Sequence, residues 1–158
     1  MFLVARAVTY SALFVGLLLV YVPARILSRF GIARPAGLGV RQVLGLAVGA
    51  LGAAVALWCI FTFASAGRGT PAPFDPPRRL VTRGPYRLVR NPMYLGAALA
   101  LLGAALFYGS WALLAYAALF LLAAHLFVVG YEEPALRGAF GREYAAYCGR
   151  VRRWRPRP

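Results

Sequence analysis

The chain has 158 residues, a formal net charge of +14, 61% hydrophobic residues and only 14% charged ones. Its mean hydropathy is +0.67. Soluble domains run to about 45–50% apolar and about 25% charged, so the composition argues against a soluble globular domain. The long apolar runs exclude a disordered chain, and the length allows one domain over 1–158.

A bilayer core is crossed by about 20 apolar residues in a helix. Four runs approach or meet that length: Ala7–Ala24, Val43–Ala66, Met93–Tyr108 and Trp111–Tyr131. The first is too long for a cleavable leader, and no small-residue cleavage site follows it, so a retained span is expected. Gly109 and Ser110 alone separate the last two runs, which predicts a tight helical hairpin. No strand alternation is visible, and within lipid only closed helices or barrels satisfy the backbone. The expected fold class is all-α: an integral membrane bundle of four transmembrane helices plus a C-terminal amphipathic interfacial helix.

All 18 basic residues are arginine. With four spans, fourteen of them share the side that holds both termini and the second loop, and Arg25, Arg29, Arg34 and Arg41 lie opposite. The positive-inside rule places the richer side in the cytosol. All four acidic residues, Asp75, Glu132, Glu133 and Glu143, fall there too. The expected location is the inner (plasma) membrane, multi-pass, with cytosolic termini. The small residues Gly45, Gly49, Gly52, Ala53 and Ala56 suit close helix packing, within the bundle or against a second copy.

The loop 67–91 is rich in proline, glycine and arginine, and its prolines forbid a long helix. It delivers Tyr86, Arg87, Arg90 and Asn91 to Pro92, which is well suited to a first helical turn. A helix N-terminus at this point would attract an anion such as a carboxylate. Beyond Glu132-Glu133-Pro134, residues Leu136, Phe140, Tyr144, Tyr147 and Val151 recur at helical spacing. They predict an amphipathic helix over about 134–150, lying on the membrane surface or capping the bundle. Negative charge at the end of the fourth helix opposes the dipole, so a bound cation or a nearby arginine should compensate it. Cys59 and Cys148 form no CxxC pattern, and His125 is the only histidine, so no disulfide framework and no metal site is expected.

The run from Leu80 to Gly96, LVTRGPYRLVRNPMYLG, resembles the signature of integral-membrane methyltransferases, the family that joins isoprenylcysteine carboxyl methyltransferases and phospholipid N-methyltransferases. A second block, Glu132-Glu133-Pro134 with Leu136, Phe140-Gly141, Tyr144, Tyr147, Val151, Arg153-Trp154 and Pro156, is similar as well. Together they cover roughly the C-terminal half. The first two helices resemble the family only in hydropathy. The resemblance implies a single membrane methyltransferase domain that uses S-adenosylmethionine, releases S-adenosylhomocysteine and needs no metal. It implies cofactor contacts from Leu80, Val81, Tyr86, Asn91, Pro92, Met93, Tyr94, Glu132 and Glu133. In the family, the Asn91–Tyr94 quartet often reads His-Pro-x-Tyr; Asn91 can still donate a hydrogen bond but cannot carry charge.

Where the isoprenylcysteine enzymes carry a substrate-handling arginine four residues before the glutamate pair, this chain has Val128, which argues against a prenylcysteine carboxylate substrate. His125 lies seven residues before Glu132, on nearly the same helix face and about 10 Å along the axis. An ionisable residue inside a membrane helix is a functional candidate. His125 is expected either to orient or deprotonate the acceptor, or to serve as a packing histidine bonded to a neighbouring helix. Arg153 is expected to close the site, or to meet a lipid phosphate. The expected partners are a lipophilic methyl acceptor and membrane lipids, with no nucleic acid, in a monomer or small homo-oligomer. The alternative is a non-enzymatic membrane protein whose arginines bind anionic lipid.

Overall fold

A computed structural model describes residues 15–63, 65 and 79–157. The expected first span is therefore described from Val15 onward and the second loop from Arg79; Arg6, Arg68, Asp75 and Arg78 lie outside the described residues. Every regular element among the described residues is helical. A π-helical stretch, Val15–Tyr21, leads into α1 (Val22–Arg29). Then come α2 (Val40–Thr62), a 3-10 turn (Gly84–Arg87), α3 (Pro92–Tyr108) and α4 (Trp111–Phe127). A π-helical turn (Val128–Glu132) joins α4 directly to α5 (Glu133–Arg150). The helix beginning in the first apolar run continues through Pro23 to Arg29, because Pro23 falls in the first turn of α1, where a missing N–H is tolerated.

Glycine shapes the contact between α2 and α3. A methyl group on Gly45 would lie 2.6 Å from the Phe107 amide nitrogen, and one on Gly52 would lie 2.6 Å from the Gly96 oxygen. From the other side, a methyl on Gly103 would lie 2.5 Å from the Gly49 nitrogen. The two backbones run antiparallel in direct contact, so the small-residue face of α2 is occupied within the chain. Gln42 reinforces the seam: its Oε1 accepts from Gly39 N (3.2 Å), while its Nε2 donates to Phe107 O (3.2 Å), one of the last carbonyls of α3.

The expected hairpin is present. Gly109 ends α3 at φ 61°, the left-handed region that glycine enters at little cost. Ser110 then caps α4, its Oγ accepting from Leu113 N at 3.2 Å. Across this hairpin Ala97, Ala98 and Leu101 of α3 bury against Ala117 and Phe120 of α4, with Leu18 and Leu19 of the first helix packed on the same cluster. The Tyr116 hydroxyl donates to Leu18 O at 3.0 Å.

The fourth helix does not end at Tyr131. Pro134 falls in the first turn of α5, lacks an N–H and would clash with a carbonyl four residues back. The wider π turn immediately before it lets the chain continue without a break. A sharper bend follows at Gly141, whose φ of 47° and ψ of −118° are non-helical. The stripe on α5 packs on the loop ahead of α3: Tyr144, Tyr147 and Val151 bury with Leu136, Phe140 and the loop residue Leu80.

Among the described residues, two helices are long and apolar enough to cross a membrane, Val40–Thr62 and the continuous helix that begins at Trp111; Pro92–Tyr108 is apolar but shorter. Leu44, Leu51, Leu57, Trp58 and Phe61 of α2, and Leu119, Leu122 and Leu126 of α4, are exposed. An apolar surface of that extent marks contact with lipid or another apolar partner.

Candidate functional site

The loop before α3 is clamped on two sides. Gly84 opens the 3-10 turn at φ 57°, and a methyl group there would lie 2.6 Å from Thr62 Oγ1. This fit presses the turn onto the end of α2. Val81 and Tyr86 bury with Cys59, and Met93 packs on the same cluster. Leu80 instead faces the tail helix. The Tyr147 hydroxyl donates to Tyr86 O at 2.7 Å, holding the turn from the α5 side.

Asn91 and Pro92, both buried, start α3, with Pro92 in its first turn. The Asn91 side chain does not cap its own helix. Its Nδ2 donates to Arg153 O at 3.4 Å, and Arg90 N donates to Arg152 O at 2.9 Å. The segment that follows α5 thus lies along residues 90–91. One turn into α3, the Tyr94 hydroxyl donates to Glu132 Oε2 at 3.1 Å. This bond joins the start of α3 to the end of the π turn, and so joins the two sequence blocks.

The adjacent glutamates have opposite surroundings. Glu133 is 4% exposed and sits among three guanidiniums. Arg153 reaches it with two bonds, Nε to Oε1 at 2.6 Å and Nη2 to Oε2 at 3.0 Å. Arg90 Nη1 lies 3.1 Å from Oε1, and Arg137 Nη2 lies 3.6 Å from Oε2. Burial alone would raise the Glu133 carboxyl; the Arg153 hydrogen bond and the charges of Arg90, Arg153 and Arg137 outweigh it and hold it below the usual carboxylate range. Glu132, beyond the apolar stretch of α4, moves the other way. Burial raises it, the Tyr94 hydrogen bond opposes part of the rise, and the Glu133 charge adds to it. Arginine therefore compensates the negative charge at Glu133 alone; because the helix runs on through this point, what is neutralised is a buried carboxylate and not a charge at a helix C-terminus.

His125 is half-buried on α4. Trp154 Nε1 donates to its Nδ1 at 3.0 Å, with ring centroids 6.0 Å apart. The same indole meets the Tyr94 ring edge-on at 6.5 Å. Glu132, Tyr94, Trp154 and His125 thus form a contiguous series between α3, α4 and the tail. Val128 is 1% exposed and so closed off from solvent.

Of the expected site residues, Asn91, Tyr94, Glu132, Glu133, Arg153 and His125 gather around the start of α3 and the end of α4. Val81, Tyr86 and Met93 line the neighbouring α2 side, and Leu80 the α5 side. Arg153 is engaged by Glu133. The sequence delivers Arg90 to the start of α3 and puts Tyr147 on the α5 stripe, but it assigns none of Arg90, Tyr147 and Trp154 the partner it has here. Trp154 was visible only as a member of the second block, and nothing in the local pattern marks Arg90 as the partner of a residue 43 positions away. Among the described residues no three His, Cys, Asp or Glu side chains gather as a metal site.

A family model described as phospholipid methyltransferase matches residues 40–143, from the start of α2 into α5. No curated protein and no solved structure matches the chain. The matched region covers well over half of the sequence and includes both the loop–α3 junction and the glutamate pair; the chain belongs to the phospholipid methyltransferase family.

Proposed function

We propose that this chain transfers a methyl group from S-adenosylmethionine to a lipophilic small molecule or lipid at the cytosolic face of the inner membrane, through a four-span bundle with both termini cytosolic. The observation that carries this reading is the Tyr94–Glu132 hydrogen bond. It brings the two blocks that resemble the methyltransferase signature to one place in a chain of that family.

The donor set suits such a cofactor. Glu132 offers a carboxylate for hydroxyls or an ammonium, and Tyr94 holds one of its oxygens in place. Asn91 presents an amide at a helix N-terminus, where a carboxylate is favoured. Val81, Tyr86 and Met93 supply apolar contact from the α2 side and Leu80 from the α5 side, with Pro92 at the start of α3. Glu133 acts at one remove: its ion pairs with Arg90 and Arg153 fix the loop and tail around Glu132. When bound, the cofactor supplies a methyl carbon whose bond to a cationic sulfur breaks as the acceptor's lone pair attacks, and the sulfur keeps the electron pair. The protein's share is placement at about 3–3.5 Å in line, which supplies much of the rate. An amine acceptor must have lost its proton first. His125 orients or deprotonates that group. Val128, buried in place of the arginine of isoprenylcysteine enzymes, favours an acceptor other than a prenylcysteine carboxylate.

The test is binding of S-adenosylhomocysteine to the detergent-purified chain by calorimetry, with Glu132→Ala beside it. Micromolar binding by the parent and loss in the variant are expected. No binding by a folded parent overturns the reading.

A further inference from the structure

We infer that Trp154 is a positioning residue that locks His125 in one neutral tautomer, so that the histidine serves the methyl acceptor as a hydrogen-bond donor and not as its base. The role toward the acceptor rests on the proposed methyl transfer; the tautomer does not.

The chemistry is decided by the direction of one hydrogen bond. An indole Nε1–H donates and never accepts. Its partner, His125 Nδ1 at 3.0 Å, must therefore be the unprotonated nitrogen. A neutral imidazole that accepts at Nδ1 carries its proton on Nε2. Taking up a second proton would place it at Nδ1 and break the bond to Trp154. The ring thus offers an N–H to whatever approaches Nε2, and its one lone pair is already used.

The surroundings hold this arrangement in place. Trp154 follows Arg153, which is fixed by two bonds to Glu133. Arg153 O and Arg152 O accept from Asn91 Nδ2 and Arg90 N. The indole also meets the Tyr94 ring edge-on, and Tyr94 is itself tied to Glu132. Tyr94 and Glu132 from α3 and the π turn, with Arg153 and Glu133 from the tail and α5, are the ionisable groups linked to the pair through these contacts, and the hydrogen bond at Nδ1 is the indole's. An acceptor oxygen, such as a headgroup phosphate or ester oxygen beside the reacting amine, is the chemistry that an Nε2–H recognises. The reacting lone pair must then arrive free or lose its proton elsewhere.

His125 is the only histidine in the chain, so labelling histidine with 15N reports on this ring alone, provided the affinity tag contains none. In the full chain in lipid nanodiscs, the parent should show Nδ1 unprotonated and Nε2 protonated. Trp154→Phe, which keeps a ring but removes the donor, should redistribute the two signals. A parent protonated at Nδ1, or a spectrum unchanged by Trp154→Phe, overturns the inference. The role is read from transfer to vesicles whose phospholipid headgroups carry a primary amine. Glutamine can donate near the Nε2 position but cannot take up a proton, so His125→Gln should keep transfer within about tenfold of the parent, while His125→Phe falls at least tenfold further. Trp154→Phe should lower kcat about fivefold, the worth of one hydrogen bond, with S-adenosylhomocysteine affinity unchanged. Equal loss in the Gln and Phe variants, with that affinity retained, would show a base and overturn the donor role. A parent that binds no S-adenosylhomocysteine overturns the proposed function instead, and the nitrogen spectrum still decides the tautomer.

Discussion

Replacing Glu133 by glutamine removes one negative charge from the midst of Arg90, Arg153 and Arg137. The Glu133 side chain is 5% exposed and the Arg90 side chain 13%. Arg90 Nε already lies buried without a hydrogen-bond partner, so Arg90 depends on Glu133 and on the Cys148 sulfur, 2.8 Å from Nη1. Removing one member of a buried pair leaves an uncompensated charge and costs about 3–5 kcal/mol. The amide oxygen of glutamine recovers one hydrogen bond, about 1 kcal/mol, so the expected net loss is roughly 3 kcal/mol. Arg137→Gln is the internal control. Its side chain is 66% exposed and its contact with Glu133 is 3.6 Å, which makes it an exposed pair worth about 0–1 kcal/mol. Equilibrium unfolding of both variants in mixed micelles, followed by tryptophan fluorescence, measures the difference. If Glu133→Gln unfolds within 0.5 kcal/mol of the parent, or no more easily than Arg137→Gln, the cluster does not secure the tail and the reasoning fails.

Three further predictions concern the site and its frame. Glu132→Gln should leave unfolding nearly unchanged but weaken S-adenosylhomocysteine binding about ten- to a hundredfold, as expected for a hydrogen bond to a charged group; calorimetry measures it, and unaltered affinity would remove Glu132 from the pocket. The two carboxylates should also separate with pH. Glu132 is raised, so binding should start to fall, as pH drops, above the usual carboxylate range. Glu133 is lowered, so its contribution to stability is present above the ordinary carboxylate value and lost only as pH falls through a lower one; titrations of affinity and of unfolding that coincide would contradict this. Gly103→Ala places a methyl 2.5 Å from the Gly49 nitrogen, and overpacking of this kind should destabilise by about 1–3 kcal/mol in the same unfolding assay.

Local features were legible because their causes are local. The hairpin follows from Gly109 and Ser110, which supply a left-handed residue and a cap in succession. The α5 stripe follows from helical spacing, and Pro92 from the tolerance of a first turn. Contacts between distant segments were not legible in the same way. Arginine is the only basic residue in the chain, so composition does not distinguish Arg90 and Arg153 from sixteen others. Their choice depends on the tail folding back over residues 90–91. The continuity of α4 into α5 was hidden as well. Pro134 reads as a helix stop, and only the π turn before it makes room for the ring. His125 shows the limit most directly: a lone histidine in an apolar run announces importance, but the side chain that fixes its proton lies 29 residues away.

The glycine seam between α2 and α3 also bears on how the proposed lipophilic acceptor would reach the site. Where backbones touch at Gly45, Gly49, Gly52, Gly96 and Gly103, there are no side chains to swing aside. An acyl chain about as wide as a leucine side chain could pass only if the two helices separated bodily, losing dispersion contacts all along the seam. That wall is therefore shut, and the pair behaves as a single rigid plank. Between α3 and α4, by contrast, Leu101 and Phe120 meet among alanines and can change rotamer, so that contact is the one through which the proposed lipophilic acceptor would pass sideways.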